Sequence, residues 1–168
     1  SLGDRGILSS LASLQELFGA TRAVPSGDEV LTIPPAEEDE LRQVRDDAGL
    51  ILDRINSSRI ASSAGALLVA DPLATVAEQR AVAMYSAGRI SRDTPAGQSV
   101  SDDLRAAGVL LEVDGEVLAL ASTSRAALDA VLEDDEARAL LLAPAFDRAG
   151  VSVVEGPTGV LLVVVLGG

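Results

Sequence analysis

The stretch "GVSVVEGPTGVLLVVVLGG", residues 150–168, constrains this chain more than any other. Val160 to Leu166 is an unbroken aliphatic run, far shorter than the roughly 20 residues that cross a bilayer, and it reads as a buried strand. The residues before it are also β-branched and apolar, and Glu155 to Gly159 supply the turn, so the segment predicts a hairpin. Upstream, "VLLEVDGEVLALA" (109–121) is two apolar runs joined by Asp114-Gly115. That dipeptide is a strong short-range hairpin signal and predicts a second hairpin.

Before and between these strands the apolar spacing is helical. In "ILSSLASLQELF" (7–18), Ile7, Leu8, Leu11, Leu14, Leu17 and Phe18 share a face, which predicts an amphipathic helix ended by Gly19. Pro25, Gly27, Pro34 and Pro35 mark an extended linker with at most a short strand at Val30 to Ile33. A soft boundary near residue 35 therefore separates an N-terminal helix and linker (1–35) from a domain at 36–168. Acids at 37–40 suit the positive end of a helix dipole. Leu41, Val44, Ala48, Leu52 and Ile55 then predict a helix running to about Ser58. Asp71 as N-cap with Pro72 behind it opens another, with Leu73, Val76, Ala77, Arg80, Ala81 and Met84 along one side and Gly88 as the stop. A short helix follows from Ser101 to Gly108. Two helical pieces meet near the acidic run 133–136, and Pro144 closes the second. Helices first, hairpins later and a helical insertion between them predict an α+β fold, an antiparallel sheet packed by helices.

Composition narrows the function classes. Only 2% of residues are aromatic against 48% hydrophobic, so Leu, Val and Ala must fill the core. All 13 basic residues are Arg, and the net charge is -13 with no Arg cluster. A phosphate backbone or an anionic lipid surface would be repelled, which excludes nucleic acid as a partner class. The absence of Cys rules out disulfides and thiolate metal sites. The absence of His removes the usual general base; a Ser or Thr nucleophile would need a carboxylate or Arg to activate it, and catalysis could still run on paired carboxylates. "SLGDRGILSSLASLQELFG" is not a signal peptide. A chain beginning at Ser1 reads as a fragment of a longer protein, and a membrane enters only through an anchor upstream of Ser1.

Several fragments, in order, resemble the CAP domain shared by cysteine-rich secretory proteins, insect antigen 5 and plant pathogenesis-related proteins. Asn56 and Arg59 resemble its early helix, and "DPLATVAEQRAVAMYSAG" (71–88) its second. "ISRDTPAG" (90–97) resembles the bacterial Phe-Ser-His loop and "DDLRAAGV" (102–109) the helix after it. "GEVLALA" (115–121) looks like the Gly-Glu-Asn strand start, and "ARALLLAPAFDRAGVSVV" (137–154) like the His-Arg run into Gly-Val. The resemblance covers roughly residues 45–168 and implies an α-β-α sandwich, with the antiparallel sheet between helical layers.

The resemblance also implies a central cleft of two His and two acids, a donor set suited to zinc and similar ions. Here the first His position is Arg92, the Gly-Glu acid is Glu116, the second acid falls at Glu133 or Asp134, and the last His position is Ala137, followed by Arg138. Both imidazoles are missing. Arginine only donates and stays charged, so it can neither ligate a cation nor act as a base. The remnant cleft is thus expected to hold Arg92, Glu116, Asp134 and Arg138, with the Arg92 guanidinium paired to Glu116 and with neither metal nor cofactor. The acids 133–136 are expected to favour a helix N-terminus rather than to bind calcium, since no EF-hand spacing is present.

These readings predict a non-catalytic, extracytoplasmic bacterial module of the cell envelope that binds a protein, lipid or glycan. Its N-terminal helix would either dock elsewhere or fold back on its own domain. The alternative is a hydrolase using Glu116 and a nearby acid as its carboxylate pair. A deep, open cleft would favour that alternative, and a filled cleft would remove it.

Overall fold

The computed structural model describes residues 22–93 and 97–168. The helix expected over 7–18 and the loop residues Thr94, Pro95 and Ala96 lie outside them. The C-terminal hairpin forms as the sequence predicts. Strands β6 (Arg148–Gly156) and β7 (Gly159–Gly167) pair antiparallel and turn at Pro157-Thr158. Tyr85 fixes that turn, since its hydroxyl accepts from the Thr158 N–H at 2.8 Å and donates to the Gly159 carbonyl at 2.9 Å.

The second hairpin does not form. Asp114-Gly115 begins a single strand, β5 (Asp114–Ala121), which pairs antiparallel with β7 over its whole length, Asp114 opposite Gly167 and Ala121 opposite Val160. Eight ladder positions against the most apolar strand of the chain outcompete a short local ribbon. Residues 109–113 instead run along the surface, Leu110 is 88% exposed, and the Glu112 N–H donates to the Gly168 carbonyl at 2.9 Å. Gly115 is needed for packing rather than for a turn, because a Cβ there would stand 3.0 Å from the Phe146 ring.

Alternation along β7 explains the layers. Val160, Leu162, Val164 and Leu166 face one core, and Leu161, Val163 and Val165 face the other. Helices α1 (Arg45–Ala61), α4 (Ser124–Glu133) and α5 (Asp135–Leu141) cover the first face. Helices α2 (Asp71–Ala87) and α3 (Val100–Ala106) cover the second. The strand order is β2-β6-β7-β5, with β2 (Arg42–Gln43) antiparallel to one end of β6 and β3 (Leu68–Val69) parallel to its start. This is the α+β sandwich expected from the sequence, departing from an all-antiparallel sheet only at β3. At Gly150 a Cβ would lie 2.1 Å from the Ala74 nitrogen, so the start of α2 rests directly on the backbone of β6.

Three local expectations are corrected. The acids 37–40 do not start α1. Glu38–Glu40 make one 3-10 turn, closed by the reciprocal Glu37 and Glu40 capping box, and α1 begins only after β2. The β2 residues pair with β6, and that sheet pairing interrupts the predicted helix. Asp71 is the first residue of α2 rather than its cap, which is Ala70, so Pro72 falls in the first turn, where its missing N–H costs nothing. Gly88, by contrast, ends α2 as expected, left-handed at φ +70, with a Cβ position only 2.4 Å from the Ile33 carbonyl.

The short strand expected near residues 30–33 is β1 (Leu31–Thr32), which pairs with β4 (Arg89–Ile90). Ile33 and Ala36 are buried in the second core, and Ala23 bridges to Leu120 on the outer edge of β5. No helix among the described residues is long and apolar enough to cross a membrane.

Candidate functional site

Glu116 is the first buried residue of β5, on the face covered by α2 and α3, and is 4% exposed. Arg80 reaches it from the middle of α2, a helical position whose neighbours Val76, Ala77, Ala81 and Met84 are all in the core. The two meet as a bidentate fork. Nε donates to Oε2 at 2.5 Å and Nη2 donates to Oε1 at 2.9 Å.

The remaining guanidinium protons are also spoken for. Nη1 donates to Asp103 Oδ2 at 2.6 Å and, at 3.5 Å, to the Gln98 carbonyl; Nη2 donates to the Arg92 carbonyl at 2.7 Å. An arginine has five N–H donors, and Arg80 uses each of them within the protein. One side chain from α2 thereby ties together β5, the start of α3 and both ends of the 92–98 loop.

Burial pulls the Arg80 guanidinium down, but the hydrogen bonds and charges of Glu116 and Asp103 more than reverse this and hold it above its ordinary value. Burial pushes the Glu116 carboxyl up from the usual carboxylate range, against the opposing pull of Arg80 and of the more distant Arg92. Both Glu116 oxygens are engaged by Arg80, so the acid is tied into the fold.

The expected pairing of Arg92 with Glu116 is therefore corrected. Arg92 sits at the rim, where its Nη2 lies 3.0 Å from Glu136 Oε1, and only its backbone carbonyl joins the buried network. Asp134 does not face Glu116 as a second acid. It caps α5, accepting from the Ala137 N–H at 2.9 Å. Arg138 lies exposed on the same helix. Of the four expected residues, only Glu116 belongs to the buried centre, and Arg80 and Asp103 replace the others there. The sequence carried a signal for Arg80, a permanent cation on an otherwise apolar helix stripe, which requires a buried acid to meet it.

The residues present do not fit a divalent ion. Both Glu116 oxygens accept from Arg80, imidazole and thiolate are absent from the chain, and no group of three or more acidic ligands converges among the described residues. Beyond Arg92 a cavity of about 550 Å³ opens between Asp28, Arg89, Ser91, Arg92 and Asp93.

Helix α3 carries Asp103 and depends on its own cap. Asp102 accepts from the Ser99 N–H at 3.0 Å and from the Ser99 hydroxyl at 3.2 Å, and these bonds hold its carboxyl below the usual aspartate range. A carboxyl depressed in the folded state stabilises the fold above its unfolded value, and that contribution is lost as pH falls through the depressed value. We expect Asp102→Asn to be less stable than the parent at neutral pH. The difference in thermal midpoint should close as the pH is lowered below about 3.9, the ordinary aspartate value.

The family model described as "CAP: Cysteine-rich secretory protein family" matches residues 52–166. An extracellular protein containing an SCP domain from Bacillus anthracis str. Ames superposes with a TM-score of 0.68 at 23% identity, over 80% of this chain and 44% of that one. An outer surface protein from Borrelia burgdorferi gives 0.69 at 17% identity, over 75% of this chain and 96% of that one. A cysteine-rich secretory protein from Staphylococcus aureus gives 0.61 at 13% identity, over 73% of this chain and 38% of that one. The chain thus spans less than half of the Bacillus and Staphylococcus proteins and nearly all of the Borrelia one. No curated protein matches it.

Proposed function

The chain belongs to the cysteine-rich secretory protein (CAP) family, and from that premise we propose that it is a non-catalytic recognition module of a bacterial protein acting outside the cytoplasm, binding a protein, lipid or glycan of the cell envelope. The observation that carries this reading is the saturation of Glu116 by Arg80. A carboxylate that is 4% exposed and bonded through both oxygens to a fixed cation can neither hold a metal nor take a proton from water. The guanidinium supplies, from within the chain, the positive charge that a bound ion would otherwise bring to this acid. The extracytoplasmic setting is supported by the extracellular Bacillus protein and the Borrelia outer surface protein that share the fold.

The hydrolase alternative needs two carboxylates flanking an open space, roughly 5 to 10 Å apart. Glu116 is closed off, and Asp134 is engaged as a helix cap, which argues against it.

The test is an envelope sedimentation assay with a chelator and a hydrolysis readout. The domain is expected to co-sediment with purified bacterial envelopes to the same extent with and without EDTA, and to release no reducing sugar. Zinc at about 1 mM is expected to leave the melting temperature unchanged, whereas a site of about 10 µM affinity would add about 2.7 kcal/mol. A zinc-dependent rise in melting temperature, or sugar release, that disappears in Glu116→Gln would overturn the proposal.

A further inference from the structure

We propose that the open edge of β6 between β2 and β3 takes a short extended peptide from a cationic partner protein, added to the sheet through the backbone of Val151. The outer edge of β6 is paired only at its two ends. β3 covers Arg148 and Ala149, and β2 covers Val154 and Glu155. At both places the chain then leaves the sheet, into α2 after Ala70 and into α1 after Val44. The last bonds on either side run from the Ala70 N–H to the Ala149 carbonyl at 3.0 Å and from the Val44 N–H to the Val153 carbonyl at 2.8 Å. Alternate residues of a strand direct their backbone groups to the same edge. The N–H and C=O of Val151 therefore point here too, and nothing among the described residues bonds to them.

A recess of about 410 Å³ lies over this gap, lined by Val151 of the edge strand, by Ala48, Gly49 and Leu52 of α1 and by Asp71 and Ala74 of α2. Gly49 is the unexplained residue among them. A glycine inside a helix is less stable than an alanine, yet a Cβ at Gly49 would meet no atom within 4 Å. The fold gains nothing from its bareness, whereas a chain laid along the edge gains a close approach to α1. An edge offering one N–H and one C=O selects a strand rather than a sugar or an acyl chain.

Charge selects among strands. At the β2 end Arg45 is already matched by Glu78, its Nε 3.1 Å from Oε1 and its Nη2 3.2 Å from Oε2. At the β3 end the Asp71 carboxylate has no hydrogen bond or ion pair among the described residues. A cation is therefore attracted there, while a second copy of this chain, at net charge -13, is repelled. A residue paired antiparallel with Val151 closes both open bonds, and its side chain falls on the α1 side, where Val151 itself packs. The next residue lies opposite Gly150, on the α2 side and toward Asp71, because a Cβ at Gly150 would meet Ala74. The preferred sequence is thus a small apolar residue followed by Lys or Arg. The inference goes beyond the reading of the Arg80 site and does not rest on it, so either can fail alone.

The test uses the full chain and a fluorescein-labelled peptide, Ser-Thr-Val-Lys-Thr-Ser, blocked at both ends and followed by fluorescence anisotropy at low salt. A Kd of about 0.1 mM is expected. Methylating the valine nitrogen, which removes the donor to the Val151 carbonyl, or replacing the peptide's lysine by glutamate is expected to weaken binding about tenfold. Gly49→Leu fills the recess and is expected to abolish binding without lowering the melting temperature, since leucine favours a helix interior. Asp71→Asn is expected to weaken binding about threefold. At about 1 mM peptide the Val151 amide should exchange about tenfold more slowly, while that of Val163 in β7 is unchanged. No anisotropy change up to about 1 mM, equal binding of the N-methylated peptide, equal binding by Gly49→Leu, or an unprotected Val151 amide would each overturn the proposal.

Discussion

Arg80→Ala is expected to lower the unfolding free energy by about 3–5 kcal/mol, as removal of one partner from a buried ion pair does. The loss comes less from the missing attraction than from what stays behind. Glu116 remains 4% exposed with no guanidinium to accept from, and Asp103 and the carbonyl of Arg92 lose the same donor. Urea unfolding followed by circular dichroism measures the change. Removing the innermost pair together, as Arg80→Met with Glu116→Leu, is expected to restore only part of the loss, because two apolar side chains need no solvation while Asp103 and the Arg92 carbonyl still lose their donor.

The pH dependence of Arg80→Ala separates the two causes. Burial already pushes the Glu116 carboxyl up, and without Arg80 only the more distant Arg92 opposes it. A carboxyl raised in the folded state favours folding below its unfolded value, and that advantage is lost as pH rises through the folded value. The deficit of Arg80→Ala should therefore be smallest in acid and grow toward neutral pH. A deficit under about 1 kcal/mol at pH 7 would mean that water reaches Glu116 once Arg80 is gone.

The parts legible in the sequence are those that local chemistry decides. The β6–β7 hairpin, the left-handed Gly88 and the junction of α4 and α5 each follow from residues within a few positions of one another. Asp114-Gly115 misled because its local signal is real but weaker than a full-length ladder against β7, a partner far along the chain. The acids at 37–40 misled for a similar reason, since β2 claims the residues behind them for β6. At the site, the resemblance to the family located Glu116 but assigned its cation to the loop position Arg92. Sequence order favoured Arg92 because it occupies the place of a family histidine. Geometry favours Arg80, because a helix facing the sheet delivers its side chain to the carboxylate while the loop delivers only a backbone carbonyl. Nothing in one sequence ranks two arginines by direction of approach. The apolar neighbours of Arg80 on α2 were the only hint.

Arg59→Ala is expected to cost about 4 kcal/mol, through backbone rather than side-chain partners. Arg59 is 1% exposed at the end of α1, where burial lowers its guanidinium from the ordinary value. Its N–H groups reach the carbonyls of Gly65 at 2.6 Å, Leu141 at 2.7 Å, Phe146 at 2.8 Å and Ala143 at 3.1 Å. The Gly65 carbonyl lies in the loop after α1, and those of Leu141, Ala143 and Phe146 end α5 and shape the turn that leads into β6, so no regular ladder is there to replace the lost donors. Each buried carbonyl left unpaired costs about 1–3 kcal/mol, and water entering the outer ones recovers part of the total. Arg59→Lys is expected to recover less than half, because one ammonium cannot present a planar fork to four acceptors on two segments. Asn56→Ala, which removes only the paired bonds to Leu67, should cost about 1 kcal/mol. The Arg59→Ala effect should also travel. Phe146, held through its carbonyl, packs against Gly115, the residue before Glu116. Amide exchange at Gly115 and Glu116 is therefore expected to accelerate in Arg59→Ala while the amides of Val163 and Val164 at the centre of β7 change only with global stability. Equal acceleration at all four amides would mean that Arg59 supports the fold as a whole and not the floor beneath the buried pair.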